Sequence, residues 1–212
     1  MKRGILNMIQ NLKLLSPASS TLNEKARAIE VNQISSDEIQ SIINRMFEIA
    51  AGEQGSKNKR TMVGLAAPQI GVLKRIILVG INAQGKGERP ELRAYINPVI
   101  VERSSDSEEG REGCYSTGKI CGIVSRSKTL TIEAYNQASE KIQEIHQGFP
   151  ARIFQHEIDH LDGIRFPDRI TDDTKLHWVE ADKFGEYREK WNQWEVLCPR
   201  KKWEQLKSGQ AL

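Results

Sequence analysis

The chain has 212 residues and carries 31 basic against 28 acidic side chains, a net charge of +3. With 38% hydrophobic and 28% charged residues it is too apolar for wholesale disorder, and its length suits one domain, or one domain with a tail. No stretch approaches the roughly 18 consecutive apolar residues of a membrane helix, so a helical span is excluded.

The first segment, Met1–Leu15, begins with Lys2 and Arg3, but Asn7, Gln10, Asn11 and Lys13 interrupt its apolar residues, so no signal-peptide core is expected there. Ser36–Ala51 is the clearest helix. Ser35 and Glu38 have capping-box spacing, and Ile39, Ile42, Ile43, Met46, Phe47 and Ala50 recur at helical period up to a stop at Gly52. A polar loop through Gly55–Lys59 follows, containing the basic cluster Lys57–Arg60. Lys74–Ile81 reads as a buried strand and Asn82–Pro90 as a loop. Leu92–Val101 is a strand interrupted at Asn97–Pro98, hence bent or at an edge. Leu130–Tyr135 and Lys141–His146 alternate apolar and polar residues and form a β-hairpin pattern. Phe149–Leu161 reads as a helix with Pro150 in its first turn, stopped by Asp162–Gly163.

From Thr171 onward the chain is charged and aromatic, and all four tryptophans (Trp178, Trp191, Trp194, Trp203) lie there. This predicts a C-terminal helix packed on the body and an exposed tail from about Pro199, with Trp191, Trp194 and Trp203 packed within the chain or, alternatively, forming a partner surface. The order of elements indicates an α+β fold, with residues 1–172 as the catalytic domain and 173–212 as a C-terminal helix and tail on the same domain. Three cysteines, Cys114, Cys121 and Cys198, are an odd number that favours a reducing, cytoplasmic setting. The short basic runs Lys57–Arg60 and Arg200–Lys202 read as solvated surface or as contacts to an anionic partner such as RNA.

His156-Glu157-Ile158-Asp159-His160 fits H-E-x-x-H inside the predicted helix. Positions i and i+4 share a helical face, so both imidazoles can reach one metal ion, and Glu157 can stand beside them as a base. Two surface histidines four residues apart would give the same letters, but the helical context favours the metal site. A third ligand is open to another histidine, a carboxylate or a thiolate. Cys114, in Glu112-Gly113-Cys114-Tyr115-Ser116, is one candidate, although a lone cysteine is more often core packing. Gly64-Leu65-Ala66-Ala67-Pro68-Gln69 combines small residues that admit a close backbone approach with an amide that can donate to an oxyanion; alone it reads equally as close packing.

Taken together and in this order, the three segments closely resemble the three motifs of peptide deformylases, and the resemblance runs from about Leu12 to Phe166. It implies a fold of mostly antiparallel strands around a metal-binding helix, with an extended C-terminal helix. The implied activity is removal of the formyl group from N-terminal formylmethionine of nascent polypeptides, releasing formate. Cys114, His156 and His160 are then the ligands of one divalent metal, Fe²⁺ in many members, with Zn²⁺ or Ni²⁺ as substitutes. Glu157 is the proton-transfer group, while the Gln69 amide and the backbone N–H of Tyr115 hold the developing oxyanion. Phe149 and Ile153, with Val63 opposite, are expected to line the methionine pocket, and the strand at Gly64 to pair with the substrate backbone. The expected partners are N-formylmethionyl peptides and, transiently, the ribosome, with no membrane and no DNA.

Three positions depart from the family pattern: Met62 replaces a common glycine, Tyr115 a usual leucine, and Cys121 an arginine that can hold the peptide carbonyl. Glu112 and Arg126 are both present and could pair to stiffen the ligand loop. The competing readings are a general metallopeptidase, in which Cys114 and Gln69 have no role, and an altered relative that binds N-terminal peptides or ribosomal RNA without turnover.

Overall fold

The computed structural model describes residues 8–52, 62–85 and 90–210. The polar loop expected at Gly55–Lys59, the Lys57–Arg60 cluster, Lys2, Arg3 and part of the Asn82–Pro90 loop lie outside them.

Helix α1 (Asp37–Ala50) begins where the sequence expects it, but its cap is Ser36 rather than Ser35. The Ser36 side chain accepts a 3.4 Å hydrogen bond from the backbone N–H of Ile39, which satisfies one of the donors left free at a helix start. Beyond it the chain forms β1 (Gly64–Ala66), β2 (Ile76–Gly80) and β3 (Leu92–Arg103). Then follow β4 (Ser107–Gly113), β5 (Ile120–Ser127), and the predicted hairpin of β6 (Thr129–Tyr135) and β7 (Lys141–Gln147). Helix α2 (Gly148–Leu161) carries H-E-x-x-H. After it come β8 (Leu176–Trp178) and the short helices α3 (Phe184–Lys190) and α4 (Arg200–Lys207).

All strand pairings are antiparallel, in a five-stranded sheet ordered β1-β2-β3-β6-β7 and a three-stranded sheet ordered β4-β5-β8. The large sheet is buried on both faces near β2, which is why that strand is continuously apolar. Ile76 and Leu78 point into a cluster with α1 residues Ile39, Ile43 and Met46. Ile77 and Val79, one residue out of phase, join α2 residues Ile153, Phe154 and Ile158 on the other face.

Strand β3 is neither broken nor at an edge; it lies in the middle of its sheet and carries a bulge. Asn97 takes φ 51°, and the register with β6 shifts between Ile96 and Val99. Pro98, which has no N–H to offer, is thereby tolerated inside a sheet. The Asn97 side chain holds the bulge by accepting from Ile29 N at 2.9 Å and donating to Ile29 O at 2.7 Å.

The C-terminal region corrects one expectation: the chain beyond Pro199 is a docked helix, not an exposed tail. Trp203 is 2% exposed and packs with Ile120, Val124, Phe166, Ile170 and Leu206 on one face of β5. Its indole Nε1–H donates to Asp168 at 3.0 Å, and the Arg165 guanidinium lies 4.5 Å from its ring centre. On the opposite face of β5, Cys121 packs with Val179, Tyr187, Trp191 and Trp194. The helical C-terminal segment is thus two short helices, one serving each side of the small sheet. Among the described residues no helix is long and apolar enough to cross a membrane.

Candidate metal centre

Helix α2 supplies the first two candidate ligands. His156 and His160 lie one turn apart, with ring centres 5.0 Å from each other. Cys114 arrives from the small sheet, directly after β4, where the chain turns into a 3₁₀ segment, Tyr115–Thr117. That turn is fixed by its own hydrogen bonds: Thr117 N–H and Thr117 Oγ1 both donate to the Cys114 carbonyl, at 3.0 and 2.9 Å. One ligand atom each from Cys114, His156 and His160 lies within 4.8 Å of the others, and Cys114 Sγ is 3.4 Å from His160 Nε2. The motif spacing predicted the two histidines; the structure brings the cysteine to them.

Behind the ligands lies a buried ion network. Glu112 accepts from Arg126 Nε and Nη2, both at 2.9 Å, and from His156 Nδ1 at 2.8 Å. With Nδ1 committed to the carboxylate, the other ring nitrogen of His156 is left for a metal, the arrangement that orients histidine ligands generally. Arg126 also reaches Asp159 at 2.6 Å, and Asp159 is shared with Arg169 at 2.6 Å. The Glu112–Arg126 pair anticipated from sequence is therefore buried, where losing one partner is far costlier than at a surface.

These contacts set the electrostatics. Burial alone would raise the Glu112 carboxyl, but hydrogen bonds from His156 and Arg126 hold it far below the usual carboxylate range. Burial works against charge on His156, yet the Cys114 sulfur and Glu112 outweigh it and hold its pKa well above normal. Burial and then the neighbouring His156 charge hold His160 well below normal. A sulfur and a carboxylate that draw positive charge to a buried site, with three soft or borderline donors converging, fit a divalent cation bound by one cysteine and two histidines.

Glu157 is fully enclosed. Burial pushes its carboxyl up to about 7, and its Oε2 has no hydrogen-bond partner among the described residues. Strand β1 explains why the carboxylate fits: a Cβ at Gly64 would collide with Glu157 Oε1 and would lie 2.7 Å from Ile153 Cγ2. Gln69 follows β1 in a 3₁₀ turn, Ala67–Ile70, and its Oε1 accepts from Ala66 N at 2.8 Å. This bond points its amide Nε2 at Cys114 Sγ, 3.2 Å away, and at Ser116 Oγ, 3.1 Å away.

Ile153 is buried, with Val63 and Phe149 half-buried in the same cluster, so the structure brings these three together. Tyr115 is 64% exposed at the rim. Met62 packs against the α1 side of the core, and Cys121 is buried under Tyr187 and Trp191. Two arginines that the motifs did not single out also join the region. Arg111, on β4, donates to the carbonyls of Arg188 at 3.1 Å and Gly85 at 3.2 Å, linking α3 to the loop beside Phe149. Arg152 lies one turn before His156 and touches Glu112 at 3.1 Å. A charged residue on the buried face of a predicted helix was the available signal for Arg152.

The chain is similar to known proteins in sequence and fold. The family model described as polypeptide deformylase matches residues 12–176. A peptide deformylase of Desulforudis audaxviator is 41% identical over 152 residues, covering 71% of this chain and 87% of that protein. One from Halalkalibacterium halodurans is 36% identical over 184 residues, covering 83% and 96%. Among solved structures, a class I type b peptide deformylase from Acinetobacter baumannii with Met-Ala-Ser bound superposes with a TM-score of 0.67 at 31% identity, covering 75% of this chain and 98% of the other.

Proposed function

The chain belongs to the polypeptide deformylase family and removes the N-formyl group from the formylmethionine of nascent polypeptides; we propose that Cys114, His156 and His160 hold its metal and that Glu157 moves the proton. The observation that carries this assignment is the convergence of those three ligand atoms, with the Gln69 amide against the Cys114 sulfur. A divalent ion there supplies Lewis acidity, making water a stronger acid and polarising the formyl carbonyl. Sulfur with two imidazoles does not choose among metals by softness alone, and we take Fe²⁺ as the native ion, with Zn²⁺ and Ni²⁺ as substitutes.

Glu157 accepts a proton from the attacking water and later delivers it to the departing amine, giving formate and a free N-terminus. Burial raises this carboxyl in the metal-free chain, which favours its taking up a proton from water. Negative charge that develops on the formyl oxygen is held by the Gln69 amide and the backbone N–H of Tyr115. The amide hydrogen now given to Ser116 Oγ is the one available for this role. Strand β1 is at an edge of its sheet and can take the substrate as an added strand, which reads the backbone and not the later side chains. Val63, Phe149 and Ile153 line the place for the methionine side chain. Residues 173–212 act as part of the same domain, and the ribosome is a transient partner in the cytoplasm.

The test is formate release from formyl-Met-Ala-Ser by anaerobically prepared protein with Fe²⁺, or by protein loaded with Ni²⁺. Release that disappears in Glu157→Ala while the metal is retained supports the assignment. Wild-type turnover in that variant overturns the role of Glu157, and no release from folded, metal-loaded wild type favours the binding-only alternative.

A further inference from the structure

Beyond the ligands and Glu157, we propose that Arg152 is a positioning residue of the metal centre, pinning the helix that carries both histidines to the hairpin that carries the cysteine. This rests on the ligand assignment above. Arg152 projects from α2 into the β4–β5 hairpin. Its Nη1 donates to the Val124 carbonyl at 2.9 Å and to Glu112 Oε1 at 3.1 Å, and lies 3.4 Å from the Gly110 carbonyl, a longer contact that shares one of those two hydrogens. Its Nη2 donates to the Glu108 carbonyl at 2.8 Å. One side chain therefore ties three residues of β4 and one of β5 to the turn of α2 just before His156.

The bond to Glu112 completes that carboxylate. Two bonds from Arg126, one from His156 and one from Arg152 use all four acceptor positions of the two oxygens. A carboxylate with every position taken has a single orientation, and His156 inherits it through Nδ1. Removing Arg152 leaves the Arg126 pair but frees one side of Glu112 and loosens the hairpin, and so the Cys114 sulfur, relative to the helix.

Residue 110 is part of the same device. A Cβ there would lie 2.8 Å from Arg152 Cζ and 2.9 Å from Nη2. Ordinarily the end of an arginine swings aside, but this guanidinium is held by hydrogen bonds to Glu112, Val124 and Glu108, so glycine at 110 makes the space it occupies.

The experiment uses the full chain and Co²⁺ as the probe, read by competition with a chelating dye and by the visible absorption of the bound ion. Arg152→Met is expected to weaken Co²⁺ binding by about ten-fold, the lower range for residues behind a metal ligand, and to alter the absorption band. Arg152→Lys should recover part of both. Gly110→Ala, which keeps every charge but displaces the guanidinium, should change the two readouts in the same direction. If Arg152→Met folds and binds Co²⁺ with wild-type affinity and spectrum, Arg152 is packing alone and the proposal fails. Should that variant not fold, an unchanged Gly110→Ala overturns the proposal equally. Wild-type protein that binds Co²⁺ no better than Cys114→Ala would instead overturn the ligand assignment, a separate result.

Discussion

Gly64 and Glu157 compete for one volume: the Cβ that any other residue would place at 64 overlaps the carboxylate oxygen of 157. The glycine of β1 is therefore a condition for the carboxylate's position, and the two residues act as a pair although 92 residues lie between them in the chain. Gly64→Ala is expected to displace Glu157 while leaving the three ligands in place. Turnover should fall at least ~10²-fold, the lower range for losing a positioned acid–base group, with metal content unchanged. Overpacking should cost about 1–3 kcal/mol in denaturant melts. Normal turnover in Gly64→Ala would contradict this.

Burial of Glu157 gives a pH dependence with a definite sign. Its carboxyl is raised from 4.5 to about 7 in the metal-free folded chain, so between those values the folded state holds more proton than the unfolded state. Stability of the metal-free protein should therefore fall as pH rises from about 4.5 to about 7, by an amount of order 3 kcal/mol at most. Glu157→Gln removes the titrating group. Its metal-free form should be more stable than wild type at pH 7.5, and the difference should vanish near pH 4, as read from urea midpoints. Equal midpoints at both pH values would show that the carboxyl is not desolvated.

Arg126 serves two buried carboxylates, Glu112 and Asp159. Arg126→Met leaves both with a missing partner, and a loss of about 3–5 kcal/mol in equilibrium unfolding is expected. Metal affinity should drop as well, because Glu112 orients His156. A loss below about 1 kcal/mol would place this pair among those that contribute as little as surface pairs do.

Trp203 anchors α4 against β5 and lies outside the metal centre. Trp203→Ala should cost about 3–5 kcal/mol by cavity formation, with Co²⁺ affinity little changed. Retention of wild-type stability would mean that α4 does not hold the small sheet.

The sequence made the period-bearing elements readable: α1, α2 and the β6–β7 hairpin follow from apolar spacing alone. The two histidines were equally plain, because a helix turns fixed spacing into a fixed direction. Cys114 became a ligand only through resemblance, since its approach depends on how β4 is joined to β5 and how that sheet meets α2. The role of α4 was hidden for a different reason. Trp203 and Leu206 are its two buried residues, and the charged residues around them look like a solvated tail. Asn97–Pro98 was legible as an irregularity, but strand order, which no local pattern encodes, decided that it was a central bulge.

The small sheet also has a history that its finished form conceals. All three candidate ligands have been synthesised once His160 is made, yet β5 obtains its second neighbour from Leu176–Trp178, and Arg111 obtains a carbonyl from Arg188. Translation runs in one direction, so during its own synthesis the chain possesses a full set of ligands before it possesses the wall around them. A protein that works on nascent chains thus carries all three donors in its own nascent chain before the residues that close the small sheet exist.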